Sequence, residues 1–265
     1  MRVAIVGAGP AGITAAVFLK RYDFDVTVFE KEEIGGLIRN AWRIENLPII
    51  SPCSGEELAE VLKARLLESN ATLVSEEVVS VDRNLLKTKL GTFEFDKIIV
   101  ASGTVPRRIE EFEVDENVVY EFRKLPKRLR NLAIYGAGDV AFDGALKARE
   151  FGVDVHIFNR SNTIKALPRL VSLARNSGIV YHEQEPIIAV ERSCNGLRIW
   201  TEKGSYDFEG LLICIGRIPN VSFIRTSSEG LEVVGDARGG FRQIAIAMGQ
   251  AIEVCMKIVE ERCLS

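Results

Sequence analysis

The stretch Val3-Ala4-Ile5-Val6-Gly7-Ala8-Gly9-Pro10-Ala11-Gly12, with the apolar run 13–19 behind it, sets the architecture. Four apolar residues read as a buried strand, glycines at G-x-G-x-x-G spacing as the turn, and the following run as a helix. Gly7 suits the tight turn, Gly9 lets backbone approach a pyrophosphate, and Gly12 lets helix pack closely on strand. Pro10 and Ala11 open a helix whose N-terminus offers N–H groups and the positive end of its dipole to phosphates. Roughly twenty residues on, Glu30 ends a second predicted strand at 26–29, where a carboxylate can accept hydrogen bonds from ribose hydroxyls. The spacing predicts a dinucleotide site built from Gly7, Gly9, Pro10, Ala11, Gly12 and Glu30.

Further along the chain the same order of features recurs. An apolar strand at 132–135 runs into Gly136-Ala137-Gly138-Asp139-Val140-Ala141, a helix is predicted over about 140–151, and a strand over 153–158. Ala141 replaces the third glycine, a recognised variant of the fingerprint. Behind the strand stand Asn159 and Arg160, with Lys165 nearby, in place of a lone carboxylate. A basic residue there attracts a 2′-phosphate and an acidic one repels it, which favours NADPH over NADH. The alternative, that Arg160 and Lys165 are ordinary surface cations, stays open.

Each copy continues with short strands broken by turns, over 71–95 and 179–208. The turns fall at Asp82-Arg83-Asn84 and Gly91 in one, and at Asn195-Gly196 and Lys203-Gly204 in the other. Each then closes on an apolar strand ending in glycine, at Gly103 and Gly216. The expected fold class is α/β: two Rossmann-like dinucleotide-binding domains, the second inserted in the first, each with a small antiparallel insertion. Residues 1–105 and 217–265 would form one domain and 106–216 the other. The proline-containing stretches at Val105-Pro106 and Arg217-Ile218-Pro219 are the natural crossings.

Composition narrows the function. Of 265 residues, 47% are hydrophobic and 27% charged, and the net charge is -3, with a pI near 5.7. That balance argues against nucleic acid or an anionic membrane as the main partner. No apolar run reaches the ~18 residues needed to span a bilayer, and the N-terminus carries no signal-peptide pattern. A cytoplasmic protein is expected. The cysteines are Cys53, Cys194, Cys214, Cys255 and Cys263, no two at CxxC spacing. With only His156 and His182, a multi-histidine metal site is poorly supplied, so no metal is expected. Cys214, in an apolar run, and Cys255 and Cys263, in the last helical segment, read as packing residues.

Several further motifs resemble those of the low-molecular-weight thioredoxin reductases, a group of two-dinucleotide-binding flavoproteins. They are Ile34-Gly35-Gly36-Leu37, Ile44-Glu45-Asn46-Leu47-Pro48, Ala101-Ser102-Gly103, Ile215-Gly216-Arg217-Ile218-Pro219-Asn220, and Gly235-Asp236 followed by Arg242-Gln243 and Ala247. The resemblance covers nearly the whole chain. It implies an FAD-dependent NAD(P)H oxidoreductase with FAD in the first fold. Beyond the first loop and Glu30, the implied FAD residues are Lys31, Gly36, Leu37, Asn46, Val78, Ala101, Ser102, Gly103, Gly235, Asp236, Arg242, Gln243 and Ile244. It places NADPH or NADH on Gly136, Gly138, Asp139, Val140, Ala141, Asn159, Arg160, Lys165, Ile215 and Gly216.

Two departures stand against that pattern. The resemblance puts a redox CxxC after a short valine–tyrosine strand, but the chain there reads Val118-Val119-Tyr120-Glu121-Phe122-Arg123-Lys124. Glu121 and Lys124 occupy roughly the cysteine positions, and neither can exchange a disulfide. The connection between Asn220 and Gly235 is short and holds the polar run 225–230, so a homodimer is left open. Electrons must then pass directly from flavin to an acceptor: ferredoxin or flavodoxin, a quinone or other small molecule, or oxygen. Cys53, in a two-proline loop that the resemblance places near the flavin, is a candidate thiol. No other catalytic residue is assigned. The alternatives are a flavin- and nucleotide-binding redox sensor without turnover, and a disulfide reductase that borrows cysteines from a partner.

Overall fold

The computed structural model describes residues 1–226 and 230–264. The chain folds into two compact units. The first comprises Met1–Arg39, Ile44–Val105 and Ile218–Ser265; the second comprises Asn40–Arg43 and Pro106–Arg217.

The first unit is built on a five-stranded parallel sheet in the order Leu231–Val233, Lys97–Val100, Arg2–Val6, Asp25–Phe29, Thr72–Val74. Arg2–Val6 lies at its centre and is apolar almost throughout because both faces are covered, as a parallel sheet requires. Val3 and Ile5 join helix α1 (Pro10–Lys20) and the long C-terminal helix Ile244–Leu264 in one apolar cluster. Ala4 and Val6 join the cluster on the opposite face, with Val81 and Leu86 of a second sheet. That second sheet is antiparallel through Ser80–Asp82, Leu85–Lys87 and Thr92–Glu94, and Ile224–Thr226 adds to it in parallel.

The helix α2 (Gly55–Glu68) is a finding the sequence pattern did not supply. Its N-cap Ser54 and Glu57 form a reciprocal capping box, which satisfies two otherwise orphan N–H groups.

The second unit repeats the plan. Its parallel sheet runs Val180–His182, Asp154–Phe158, Asn131–Tyr135, Leu211–Ile213, Val118–Val119. Leu132 and Ile134 pack with α3 (Asp139–Glu150) and the short α4 (Pro168–Asn176). Ala133 and Tyr135 face a three-stranded antiparallel sheet, Ile187–Ser193, Gly196–Thr201 and Gly204–Phe208.

Two details differ from the sequence reading. The first strand of each short-strand stretch, Thr72–Val74 and Val180–His182, belongs to the large parallel sheet and not to the insertion. Asn40–Arg43 clusters with the second unit, where Trp42 N–H donates to Asp143 Oδ2 at 2.8 Å. Of the polar run 225–230, Ser227, Ser228 and Glu229 lie outside the described residues.

Candidate functional site

The first glycine loop is shaped by sterics. Gly7 sits at φ +101°, and a Cβ there would stand 2.5 Å from Ala101 O. A Cβ on Gly12 would stand 1.9 Å from Gly7 O, so helix α1 can meet the loop only with hydrogen in that place. Gly9 is different: a Cβ there meets nothing within 4 Å. It is the N-cap of α1 and offers no side-chain cap, which leaves first-turn N–H groups to a ligand. Gly36, at φ +60°, lies against Gly9, its missing Cβ 3.3 Å from Gly9 Cα, and Gly35 N–H donates to Ala8 O at 2.7 Å. A second glycine pair thus lines the first.

Glu30 is held beside the loop. Its Oε2 accepts from Ala8 N–H at 2.7 Å and its Oε1 from Glu32 N–H at 2.9 Å. Each carboxylate oxygen keeps a further lone pair for a ribose hydroxyl. Lys31 turns to Glu77 at 2.9 Å, and Val78 is buried in the core below.

The remaining first-unit candidates fall into two groups. Ser102 Oγ donates to Asn220 O at 2.6 Å, and Asn220 N–H donates to Gly103 O at 3.0 Å. Ala101 N–H donates to Val6 O, tying this turn to the central strand. In the second group, Asn46 Nδ2 donates to Gln243 Oε1 at 2.6 Å, joining residues 197 apart in sequence. Gln243 O accepts Ala247 N–H and so opens the long helix that begins at Ile244. Gly235 and Asp236 form a 3-10 turn, and Gly235 packs over Ala11 and Ala247. Arg242 is exposed on the approach to that helix.

Two residues that position this site escaped the sequence reading. Gln250 Oε1 accepts Gly235 N–H at 2.8 Å; its signal was a polar side chain two turns into an apolar helix face. Arg39 is a buried cation that donates to Ile34 O at 2.8 Å and to Glu56 and Glu60 of α2. The i,i+4 glutamates were the available signal.

The second loop has the same form. Gly136, at φ +131°, would put a Cβ 2.4 Å from Cys214 O, whereas a Cβ on Gly138 meets nothing within 4 Å. Gly138 caps α3 without a side chain, Ala141 is fully buried, and Val140 points to solvent. Asp139 Oδ1 accepts Leu167 N–H at 2.8 Å, and Lys165 N–H donates to Ala137 O at 2.9 Å, which draws residues 159–167 along the glycine loop. Asn159 is buried and its amide is spent: its Nδ2 donates to Thr163 O and, on the strand Val180–His182, to Tyr181 Oη. Arg160 and Lys165 are exposed at its rim. Ile215 is exposed, and Gly216 O accepts Arg107 N–H at 3.0 Å.

Where the resemblance would put a dithiol, Glu121 pairs with Arg123 at 3.0 Å and with Arg217 at 3.4 Å. Cys53 forms a bridge with Ile44. Burial pushes the thiols of Cys214 and Cys255 up to about 12, so neither is a nucleophile near neutrality. Cys263, read as a packing residue, is exposed at the helix end, as is Cys194 in its turn. Among the described residues no group of metal-ligating side chains is assembled, and no helix is long and apolar enough to cross a membrane.

Two uncapped helix starts, each behind a turn whose first residue, Gly7 or Gly136, must be glycine, form cradles suited to two dinucleotides. The family model for pyridine nucleotide-disulphide oxidoreductases matches residues 1–249. The chain belongs to that family. It is 28% identical over 253 residues to the thioredoxin reductase of Ureaplasma parvum, covering 89% of this chain and 80% of that one. It is 25% identical over 173 residues to a 34.2 kDa protein in the rubredoxin operon of Clostridium pasteurianum, covering 61% and 56% of the two chains. Its fold matches the thioredoxin reductase of Lactococcus lactis at a TM-score of 0.87, with 24% identity over 98% of this chain and 99% of that one.

The chain is therefore a thioredoxin reductase-like flavoprotein, an FAD-dependent NAD(P)H oxidoreductase. The cradle at Gly7, Gly9, Gly12 and Gly36 fits a pyrophosphate, because the space beside Gly9 is open while its neighbours are closed.

Proposed function

We propose that this pyridine nucleotide-disulphide oxidoreductase family member takes a hydride from NADPH or NADH onto FAD and delivers the electrons directly to an acceptor, without a protein dithiol. One observation carries the reading: the positions where a CxxC is expected hold Glu121 and Lys124, and Glu121 is committed to ion pairs with Arg123 and Arg217. A bound flavin supplies two-electron uptake and one- or two-electron release.

The chain's own residues bind and orient. The α1 N-terminus and Gly9 receive the FAD pyrophosphate, Glu30 the ribose, and the turn at Gly235 and Asp236 the ribitol end. Ser102, Gly103, Asn46, Gln243 and the helix beginning at Ile244 border the ring, and that helix dipole favours negative charge there. In the second unit Gly138 and the start of α3 receive the nicotinamide dinucleotide. Arg160 and Lys165 favour the 2′-phosphate of NADPH, while Asn159 acts by holding their segment in place.

Small redox proteins, quinones and oxygen are the acceptor classes. The relative encoded in a rubredoxin operon supports a protein acceptor. A cytoplasmic setting is expected, and a homodimer is left open. The test is anaerobic mixing of the FAD-loaded protein with NADPH and with NADH. Rapid bleaching of the flavin, faster with NADPH, is expected. Failure to bleach with either nucleotide would turn the assignment to a redox sensor without turnover.

A further inference from the structure

Residues 123–130 read Arg-Lys-Leu-Pro-Lys-Arg-Leu-Arg, five cations in eight residues without one acid, in a chain whose net charge is -3. The segment begins in the 3-10 turn Phe122–Lys124 and continues irregularly to the strand Asn131–Tyr135. It is nevertheless fixed. Leu125 and Leu129 are part-buried against the core of the second unit. A Cβ on Gly210 would stand 3.4 Å from a methyl of each, so both leucines close over that glycine. Phe122 is pinned as well, with Lys147 Nζ 5.0 Å from its ring centroid.

With the leucines turned inward, the cations turn outward. Lys124, Lys127, Arg128 and Arg130 are all exposed. Arg130 pairs with Glu209 at 2.5 Å and Arg123 with Glu121 at 3.0 Å. Lys127 and Arg128, at the crest, form no ion pair among the described residues. A solvated loop would have no need of two leucine anchors to hold unpaired like charges a residue or two apart, where they repel.

We infer that this leucine-anchored basic ridge, centred on Lys127 and Arg128, is a docking surface for a small acidic redox protein that accepts electrons from the enzyme. The inference rests on the direct-acceptor reading above. Electron-transfer partners form small, transient interfaces, and charge complementarity supplies their encounter rate and orientation more than their affinity. A backbone held by the two leucines also spares the entropy of ordering the segment itself on binding. The ridge exposes no aromatic side chain on which bases could stack, which sets it apart from a single-stranded nucleic-acid site.

The test uses full-length, FAD-loaded protein and the double variant Lys127→Glu/Arg128→Glu. Two acidic probes, a flavodoxin and a plant-type ferredoxin, are fluorescently labelled and titrated onto each protein at low and high salt. At least one probe should bind the native protein, weaken with salt, and bind the variant about tenfold or more weakly, as expected when favourable charge pairs become repulsive. Reduction of the bound flavin by NADPH, and turnover with the uncharged quinone menadione, should be the same in both proteins. Failure of both probes to bind, or equal binding by both proteins, overturns the inference. So does finding that the variant instead loses binding to single-stranded RNA or to anionic lipid vesicles. Failure of NADPH to bleach the flavin strikes the direct-acceptor reading, and the binding titration reads the ridge independently of it.

Discussion

Gly9 is the residue on which cofactor binding and folding separate. Its φ of -81° is open to any residue, and a Cβ there touches nothing. Gly9→Ala should therefore cost the fold about 1 kcal/mol or less, the loss expected because alanine is the poorer N-cap of the two. The methyl group would project where backbone must approach a pyrophosphate, so FAD affinity should fall about tenfold or more. Thermal unfolding of cofactor-free protein and FAD titration measure the two effects separately. Unchanged FAD affinity would contradict the assignment of the loop. Gly12→Ala is a poor test, because its Cβ would strike Gly7 O and damage the loop itself. At this scale much was legible from sequence: each glycine has a distinct steric duty, and spacing alone separates them. What was not legible is how a polar side chain spends its hydrogen bonds. Asn159 stands where a ribose contact is expected, yet it is consumed by Thr163 and Tyr181, which only the closed loop brings near.

At the scale of elements, the strands and helices flanking the two glycine loops were legible because apolar runs and glycine punctuation coincide. The helices α2 and α4 were not. Glu56, Glu57, Glu60, Lys63, Arg65 and Glu68 put charge around much of α2, which blurs its apolar stripe; only the Ser54–Glu57 capping pair marked its start. The nine-residue α4 is announced by Pro168 at its first turn and is too short for periodicity to register.

A network binds three elements of the second unit. His156 Nδ1 lies 2.9 Å from His182 Nε2, linking Asp154–Phe158 to Val180–His182. His182 Nδ1 lies 3.1 Å from Glu185 Oε2, and Glu185 Oε1 accepts from Thr201 and from Tyr206 of the antiparallel sheet. Burial works against the Glu185 carboxylate, but hydrogen bonds from Tyr206, Thr201 and His182 outweigh it and hold its pKa down to about 2. Burial, then His182, lowers the pKa of His156. A depressed acid gives stability that is present above its unfolded pKa and is lost as pH falls toward the folded value. A buried histidine with a lowered pKa acts in the same sense, because the unfolded chain takes up its proton first. The second unit should thus weaken on acidification. Glu185→Gln should cost up to about 3 kcal/mol near pH 7, with the deficit against the native protein shrinking by about pH 3. Urea unfolding at both pH values checks this; an equal deficit at both would contradict it.

For the whole molecule, the two units are one plan used twice: a parallel sheet with both faces covered, a glycine loop at the end of its central strand, and an antiparallel sheet on one face. The repeat was visible in sequence because each copy spends its glycines in the same order. The membership of Asn40–Arg43 in the second unit was not, since it depends on Asp143, about a hundred residues away, accepting Trp42 N–H. The departure on which the proposed function rests is also molecular in scale. Both units carry the glycine loop and the uncapped helix start, while Glu121, where the resemblance would put a cysteine, is held in ion pairs with Arg123 and Arg217. The most direct test is the visible absorption spectrum of the purified full-length protein, before and after incubation with excess FAD and removal of the unbound cofactor. A flavin band corresponding to one FAD per chain is predicted, and a protein that stays colourless after that incubation would contradict the account.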